Sequence, residues 1–254
     1  MMKKKHNKAS IGATIEGVQI NKYISSTGYC SRREADKLVE QARVMINENV
    51  AVASSRVLAG DKVWVDDELL KKSTKQSVYL VLNKPAGITC TTDLQDKTNI
   101  ISFLNFPKRI FPVGRLDKDS EGLILLTNDG DVVNKILRAG NNHEKEYVVT
   151  VNKQLGPDFA RSMSGGVPVD GQITLPCKVK IESGRKFRII LKQGLNRQIR
   201  KMCAHFGYEV QTLVRTRIMH IHLGSLPVGK WRYLTPSELQ QLESLIKHSS
   251  KNEC

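Results

Sequence analysis

No stretch of this 254-residue sequence holds the roughly 20 consecutive apolar residues that a membrane-spanning helix needs. The lysines of MMKKKHNKAS run into no apolar segment, so no signal peptide is expected. Paired cysteines are missing too. Cys30, Cys90, Cys177, Cys203 and Cys254 are scattered with no CxxC, which predicts free thiols in a reducing cytoplasm and excludes a disulfide framework or zinc ribbon. Cys203-x-His205 and His220-x-His222 come nearest to metal-ligand spacing, but neither has a second pair at finger-like distance. Neither a GxGxxG turn nor a P-loop occurs, so no nucleotide cofactor is expected. Acid is scarce as well: 25 Asp plus Glu stand against 40 Lys plus Arg, for a net charge of +15. That excess selects a polyanionic partner, and without a spanning segment nucleic acid fits better than an acidic membrane.

What is present supports two folded parts. At 40% hydrophobic the chain can bury a sizeable core. Residues 1–19 show no period and read as a flexible basic arm. INKYISSTGYC predicts a short helix stopping near Gly28, and SRREADKLVEQA a second, with Ser31 and Glu34 at capping-box spacing. In that helix Ala35, Leu38, Val39 and Ala42 recur on one face. RVMINEN and KVWVDDE read as strands around a turn at Ala59-Gly60-Asp61, closing a small unit over 20–70. The polar stretch 71–77 is expected to be a linker. Over 78–246 the strand-like runs VYLVLN, GLILLTN, EYVVTVN, PCKVKIE and KFRIILK alternate irregularly with helical patterns at DVVNKILRA, PDFARSM, NRQIRKMCAHF and TPSELQQLESLIK. Without a regular βαβ rhythm this predicts an α+β domain with a mainly antiparallel sheet, then a tail at 247–254.

The charge is uneven. Arm, small unit (with its linker) and remainder carry +3, +2 and +10. Residues 185–217 alone hold nine basic side chains, Arg185, Lys186, Arg188, Lys192, Arg197, Arg200, Lys201, Arg215 and Arg217, against Glu209. Arg197, Arg200 and Lys201 share one face of a predicted helix, opposite Ile199, Met202, Cys203 and Phe206. Such a face suits RNA phosphate, pairing with a buried acid, or plain solvation.

The acids crowd into FPVGRLDKDSEGLILLTNDGD, where Asp117, Asp119, Glu121 and Gly122 follow the start of a calcium loop. Position 12 is Asn128 instead of a bidentate Glu, and Pro112 and Gly114 spoil the entering helix. Calcium is excluded. What remains is a strand, VGRL, ending at Asp117, a loop DKDSE and a returning strand. On spacing alone Asp117 reads as a turn former or ion-pair partner.

GRLDKDSEGLILLTNDG, LNKPAG, EKEYVVTV and GLNRQIRKM, followed by LVRTRIM, resemble the motifs of the RsuA branch of pseudouridine synthases, in the same order. RAGNNHEKEY and RTRIM are similar to those of the branch members acting on large-subunit ribosomal RNA. The unit from Ile20 resembles an S4 RNA-binding domain. The resemblance implies an S4-like domain followed by a catalytic domain that isomerises a uridine of large-subunit ribosomal RNA with no cofactor or metal, and with transfer RNA as a possible second substrate; the scattered thiols point to the cytoplasm, and no exposed helical seam argues for more than a monomer. It makes Asp117 the catalytic carboxylate, Tyr147 the ring that stacks on the uracil, Arg200 the basic partner of Asp117 and Leu213 a wall of the uracil pocket. Arg115 would lie by the flipped-out nucleotide. Lys22, Arg32, Arg33, Lys37 and Arg43 would grip RNA from the S4-like unit, and Arg197, Lys201, Arg215 and Arg217 from the catalytic domain. Arg197 stands where many relatives have His. The competing reading is a non-catalytic S4-type RNA-binding or ribosome-assembly factor.

Overall fold

A computed structural model describes residues 17–71, 77–137 and 142–247. The expected arm up to residue 16, most of the linker, part of RAGNNHEKEY and the tail beyond Lys247 lie outside the described residues. The chain divides into two compact units, Met1–Lys75 and Gln76–Cys254.

In the first unit strand β1 (Val18–Gln19) pairs antiparallel with β4 (Arg56–Val57), so residues 17–19 belong to the folded unit and not to an arm. Helix α1 (Ile20–Ser26) packs on α2 (Arg32–Glu40). The Ser31 hydroxyl accepts from Glu34 N, and the Glu34 carboxylate accepts from Ser31 N at 2.8 Å, completing the capping box. Ala35 and Val39 are buried, but Ala42 lies past the helix with a φ of 56°, exposed. Strands β2 (Val44–Ile46), β3 (Asn49–Val50), β5 (Val63–Val65) and β6 (Glu68–Leu69) form an antiparallel sheet ordered β3-β2-β5-β6. Ile20, Ile24, Val44, Val63 and Val65 close the core between helices and strands.

The second unit is built on β7 (Tyr79–Lys84), β8 (Phe111–Val113), β9 (Glu121–Thr127), β10 (Lys145–Val151), β13 (Lys178–Ser183), β14 (Lys186–Leu191), β15 (Val210–Ile218), β16 (Ile221–His222) and β17 (Trp231–Tyr233). A separate small ribbon joins β11 (Pro168–Val169) to β12 (Gln172–Ile173). The large sheet runs β13-β14-β10-β15-β9-β7-β17, with β16 on β15 and β8 on β9. Every pairing is antiparallel except β15 with β9, where Val214 faces Glu121 and Arg215 faces Gly122.

Period-two alternation divides the core between the sheet's faces. Leu123, Leu125 and Val81 pack with Val132 and Ile136 of helix α4 (Gly130–Leu137) and Leu242 and Ile246 of α7 (Pro236–Ile246). Leu80, Leu82, Ile124 and Leu126 pack with Ile100 and Leu104 of α3 (Ile100–Leu104). Val149, Ile189 and Leu213 pack with Phe159 and Met163 of α5 (Phe159–Ser164) and with Ile199 and Met202 of α6 (Gln198–His205).

Two elements depart from expectation. The strand read as VGRL ends at Val113, because Gly114 turns the chain at a φ of +77° and 114–120 is irregular. Arg197 is not inside α6. It is the residue before the first turn, in left-handed conformation at a φ of 50°, so its side chain leaves the axis differently from Arg200 and Lys201.

Candidate active site

The segment 114–120 forms one wall of a cavity of about 430 Å³, within the range of roughly 300–1,000 Å³ usual for small-ligand sites. The wall is fastened from behind. Lys84, fully buried, donates from Nζ to the carbonyls of Pro85 and Ile88 at 2.9 Å each and reaches that of Lys118 at 3.4 Å. Gly87 N donates to the same Lys118 carbonyl at 2.7 Å, and Leu116 N to Cys90 Sγ at 3.4 Å. LNKPAG thus acts as a clamp beneath the acidic loop. Ser120 N donates to Asp117 O at 3.0 Å, tightening the loop itself.

Asp117, with a side chain 29% exposed, faces the cavity. Tyr147 comes from β10, and Leu213 and Arg215 from the neighbouring β15. Residues 145, 147, 213 and 215 occupy alternate strand positions, so all four side chains lie on the cavity face of the sheet. Arg115 stands exposed at the opening, and Arg197 closes the opposite side.

The basic partner of Asp117 differs from the one expected. Arg197 Nη1 lies 3.7 Å from Asp117 Oδ2, while the same guanidinium grips Asp119 with both ends, at 3.3 and 3.2 Å. Arg200 makes its ion pair with Asp119 at 3.2 Å, also donating to Ser120 Oγ and to Val210 O. The physical reason is the conformation at Arg197: leaving the helix in the left-handed region sends it over the loop, ahead of Arg200. Burial tends to raise the Asp119 carboxyl, but hydrogen bonding from Arg197 and the charges of Arg200 and Arg197 outweigh it and hold it below the usual carboxylate range. Asp119 ties the loop to α6.

Two of the arginines expected to meet RNA are committed inward. Arg215 is 3% exposed, and its Nε donates to Leu123 O at 2.7 Å. This requires Gly122: a Cβ there would stand 2.3 Å from Arg215 O, and its φ is +101°. Arg217 is held by Glu146 at 2.9 Å and Glu144 at 3.0 Å, with its side chain 14% exposed. Strict alternation would put both on one face, but a register shift in β15 sets Arg215 opposite Tyr147 and Arg217 opposite Glu146, so Arg215 turns to the cavity while carboxylates from β10 claim Arg217. Lys201 pairs with Asp170. Of the remaining expected contacts, Arg33 and Lys37 are exposed on α2. Arg32 reaches Gln19 and Asn21, Lys22 is half-buried on α1, and Arg43 pairs with Asp66.

Lys145 was not expected. Buried in the cavity wall two residues before Tyr147, it shares that residue's face of β10, so strand alternation from Tyr147 could have found it. Among the described residues no group of three or more His, Cys, Asp or Glu could hold a metal ion. No helix among them is long and apolar enough to cross a membrane.

A family model for RNA pseudouridylate synthases matches residues 78–205, and one for the S4 domain matches residues 19–63. The dual-specificity RNA pseudouridine synthase RluF of Escherichia coli (strain K12) is 55% identical over 234 residues, covering 92% of this chain and 81% of the relative. The ribosomal large subunit pseudouridine synthase B of Bacillus subtilis (strain 168) is 32% identical, covering 91% of this chain and 97% of the relative. A crystal structure of a pseudouridylate synthase superimposes with a TM-score of 0.66 at 30% identity, covering 89% of this chain and all of that one.

Proposed function

This chain belongs to the RNA pseudouridylate synthase family, with an S4 domain ahead of the catalytic one, and we propose that it isomerises a uridine of large-subunit ribosomal RNA using Asp117. One observation carries the reading: Asp117 faces a cavity of nucleoside size whose other walls include Tyr147 and Leu213. A carboxylate can attack C1′ of the ribose or remove a proton from C2′, and can later assist loss of the C5 proton. Both routes suit Asp117. Arg197 lies next to it, with Nη1 3.7 Å from Asp117 Oδ2.

The target base must leave its stack to enter the cavity. Tyr147 offers a ring to stack on it, and Leu213 an apolar side. Arg115, exposed at the opening, is placed to contact the backbone of the flipped nucleotide or to fill the gap it leaves. Arg200 acts at one remove: through Asp119 and Ser120 it fixes the loop that carries Asp117. In the S4 domain the exposed Arg33 and Lys37, with Arg32, Lys22 and Arg43, form the phosphate-binding surface, recognising structured RNA by shape. The enzyme works as a cytoplasmic monomer with no cofactor. Transfer RNA is the second substrate class to test, since a close relative is named dual-specificity.

The deciding experiment maps pseudouridines across ribosomal and transfer RNA in a strain lacking the gene, complemented by wild type or Asp117→Asn. One ribosomal site should vanish, return with wild type and stay absent with the variant. If no site vanishes, or the Asn variant restores it, the enzymatic reading fails and an RNA-binding or assembly role replaces it.

A further inference from the structure

The two buried lysines of the catalytic unit are provided for differently. Lys84 has three carbonyl oxygens within reach of its ammonium. Among the described residues Lys145, 7% exposed, has one long side-chain hydrogen bond, 3.4 Å to His143 O. The charge beside it is another cation: Arg215, whose Nη2 is buried without an acceptor among the described residues. The imidazole of His143 also feels the charge of Lys145, and burial together with that charge holds it below the usual histidine range; the other charged or titratable groups described around the cavity are Arg115, Asp117, Tyr147 and Arg197, and the single carboxylate there is already paired with Arg197. Burial, reinforced by the charge of Arg215, pushes Lys145 down to about 8. A buried ammonium next to a partly unsatisfied guanidinium is strongly unfavourable unless acceptors arrive to meet them.

We propose that Lys145 and Arg215 form a cationic seat that binds the carbonyl oxygens of the target pyrimidine and stabilises the charge that base carries once severed from the ribose. The inference rests on the isomerase reading above. When N1–C1′ breaks, the bonding pair leaves with the base. Its negative charge spreads over the ring and the two carbonyl oxygens, while C1′ bonds to an Asp117 oxygen or the ribose gives that carboxylate its C2′ proton. The base turns, and C5 bonds to C1′ as the Asp117 oxygen leaves or the C2′ proton returns. C5 then loses its proton and N1 takes one up. Lys145 and Arg215 donate hydrogen bonds throughout and keep their own protons. Burial argues for the base over phosphate: the phosphodiester stays outside with the exposed Arg115 and Arg197, whereas the buried cations meet only what enters the cavity.

The test is single-turnover release of tritium from C5-labelled uridine in large-subunit ribosomal RNA. Lys145→Met should lose about a hundred- to a thousand-fold in rate, as when one donor to a developing anion is removed, with RNA affinity within about threefold of wild type. Lys145→Arg should restore most of the rate. The wild-type rate should fall as pH rises through about 8, where Lys145 loses its proton, and Lys145→Arg should lack that limb. With wild-type enzyme, 2-thio or 4-thio substitution of the target should slow the reaction about tenfold or more, sulfur being the poorer acceptor. The seat is overturned if folded Lys145→Met keeps its rate within about threefold, or if the alkaline limb persists in Lys145→Arg. Should Lys145→Met not fold, a wild-type profile that stays flat above that pH, with unslowed thio substrates, overturns it equally. A wild-type enzyme that releases no tritium from any ribosomal RNA refutes the isomerase reading instead.

Discussion

Gly122→Ala should damage the catalytic domain far beyond the loss of helix or strand propensity. At the one parallel pairing of the sheet, an alanine Cβ would stand 2.3 Å from Arg215 O and 2.7 Å from Arg215 N, both backbone atoms that cannot rotate away. Its φ of +101° adds strain of about 1–3 kcal/mol for a non-glycine residue. Forcing the strands apart adds about 1–3 kcal/mol of overpacking, so a loss of about 2–6 kcal/mol is expected. Two tryptophans make this measurable by domain. Trp64 lies in the S4 unit and Trp231 on β17, so a Trp64→Phe background leaves Trp231 to report urea unfolding of the catalytic unit alone. The urea midpoint should fall with little change in slope, and turnover measured below that midpoint should also fall, because Arg215 moves with its strand. A variant whose stability lies within about 0.5 kcal/mol of the Trp64→Phe parent refutes the argument that only glycine permits this approach.

Three further outcomes are expected. Asp119→Asn leaves Arg197 and Arg200 without their shared carboxylate; turnover should fall while stability at neutral pH drops by under about 1 kcal/mol, since the Asp119 side chain is half exposed. Because the folded carboxyl of Asp119 lies below its unfolded value, its contribution is present above the unfolded value and lost as pH falls through the folded one, so acid titration of wild type minus variant should show that difference vanish on the acid side. Replacing Arg33 and Lys37 together by Ala should weaken RNA binding about equally across sequences and lower the salt slope by about 1 for each phosphate no longer neutralised, read by filter binding at several salt concentrations. Thr235→Ala breaks the capping box of α7, in which the Thr235 hydroxyl accepts from Glu238 N, and should cost about 1 kcal/mol in thermal or urea unfolding without touching turnover.

The elements of the fold were largely legible, because each rests on a local period. Ala35 and Val39 at helical spacing, and the β-branched alternation of EYVVTV and KFRIIL, carry their own burial pattern. The site was legible through the ordered motifs, which pointed to Asp117, Tyr147 and Leu213, and not through the period of any one segment. Arg215 and Arg217 looked like two members of one basic window. Which of them turns inward depends on the register of β15 against β9 and β10, set by residues far away in the chain. Arg197 was misplaced for a different reason: a helical wheel assumes helical dihedrals, and this residue sits just before the helix in the left-handed region. The ending of the strand at Val113, and helix α3 capped by the Asn99 side chain, depend on turn chemistry that the hydrophobic pattern does not register. Lys145 escaped notice because a lysine beside a glutamate reads as surface until the strand's facing is settled.

The bond from Arg215 Nε to Leu123 O joins residues 92 positions apart, across the sheet's one parallel pairing. Closing so long a loop before its contacts reward it is slow, and parallel pairing is slower than hairpin closure. The acidic loop, β9 and α4 can form locally, but the cavity has no far wall until β15, which begins at Val210, has docked. A ribosome-bound chain that has not yet released that strand therefore has Asp117 without a pocket around it. On the isomerase reading, competence to act on RNA follows the docking of β15 and not the folding of the acidic loop alone.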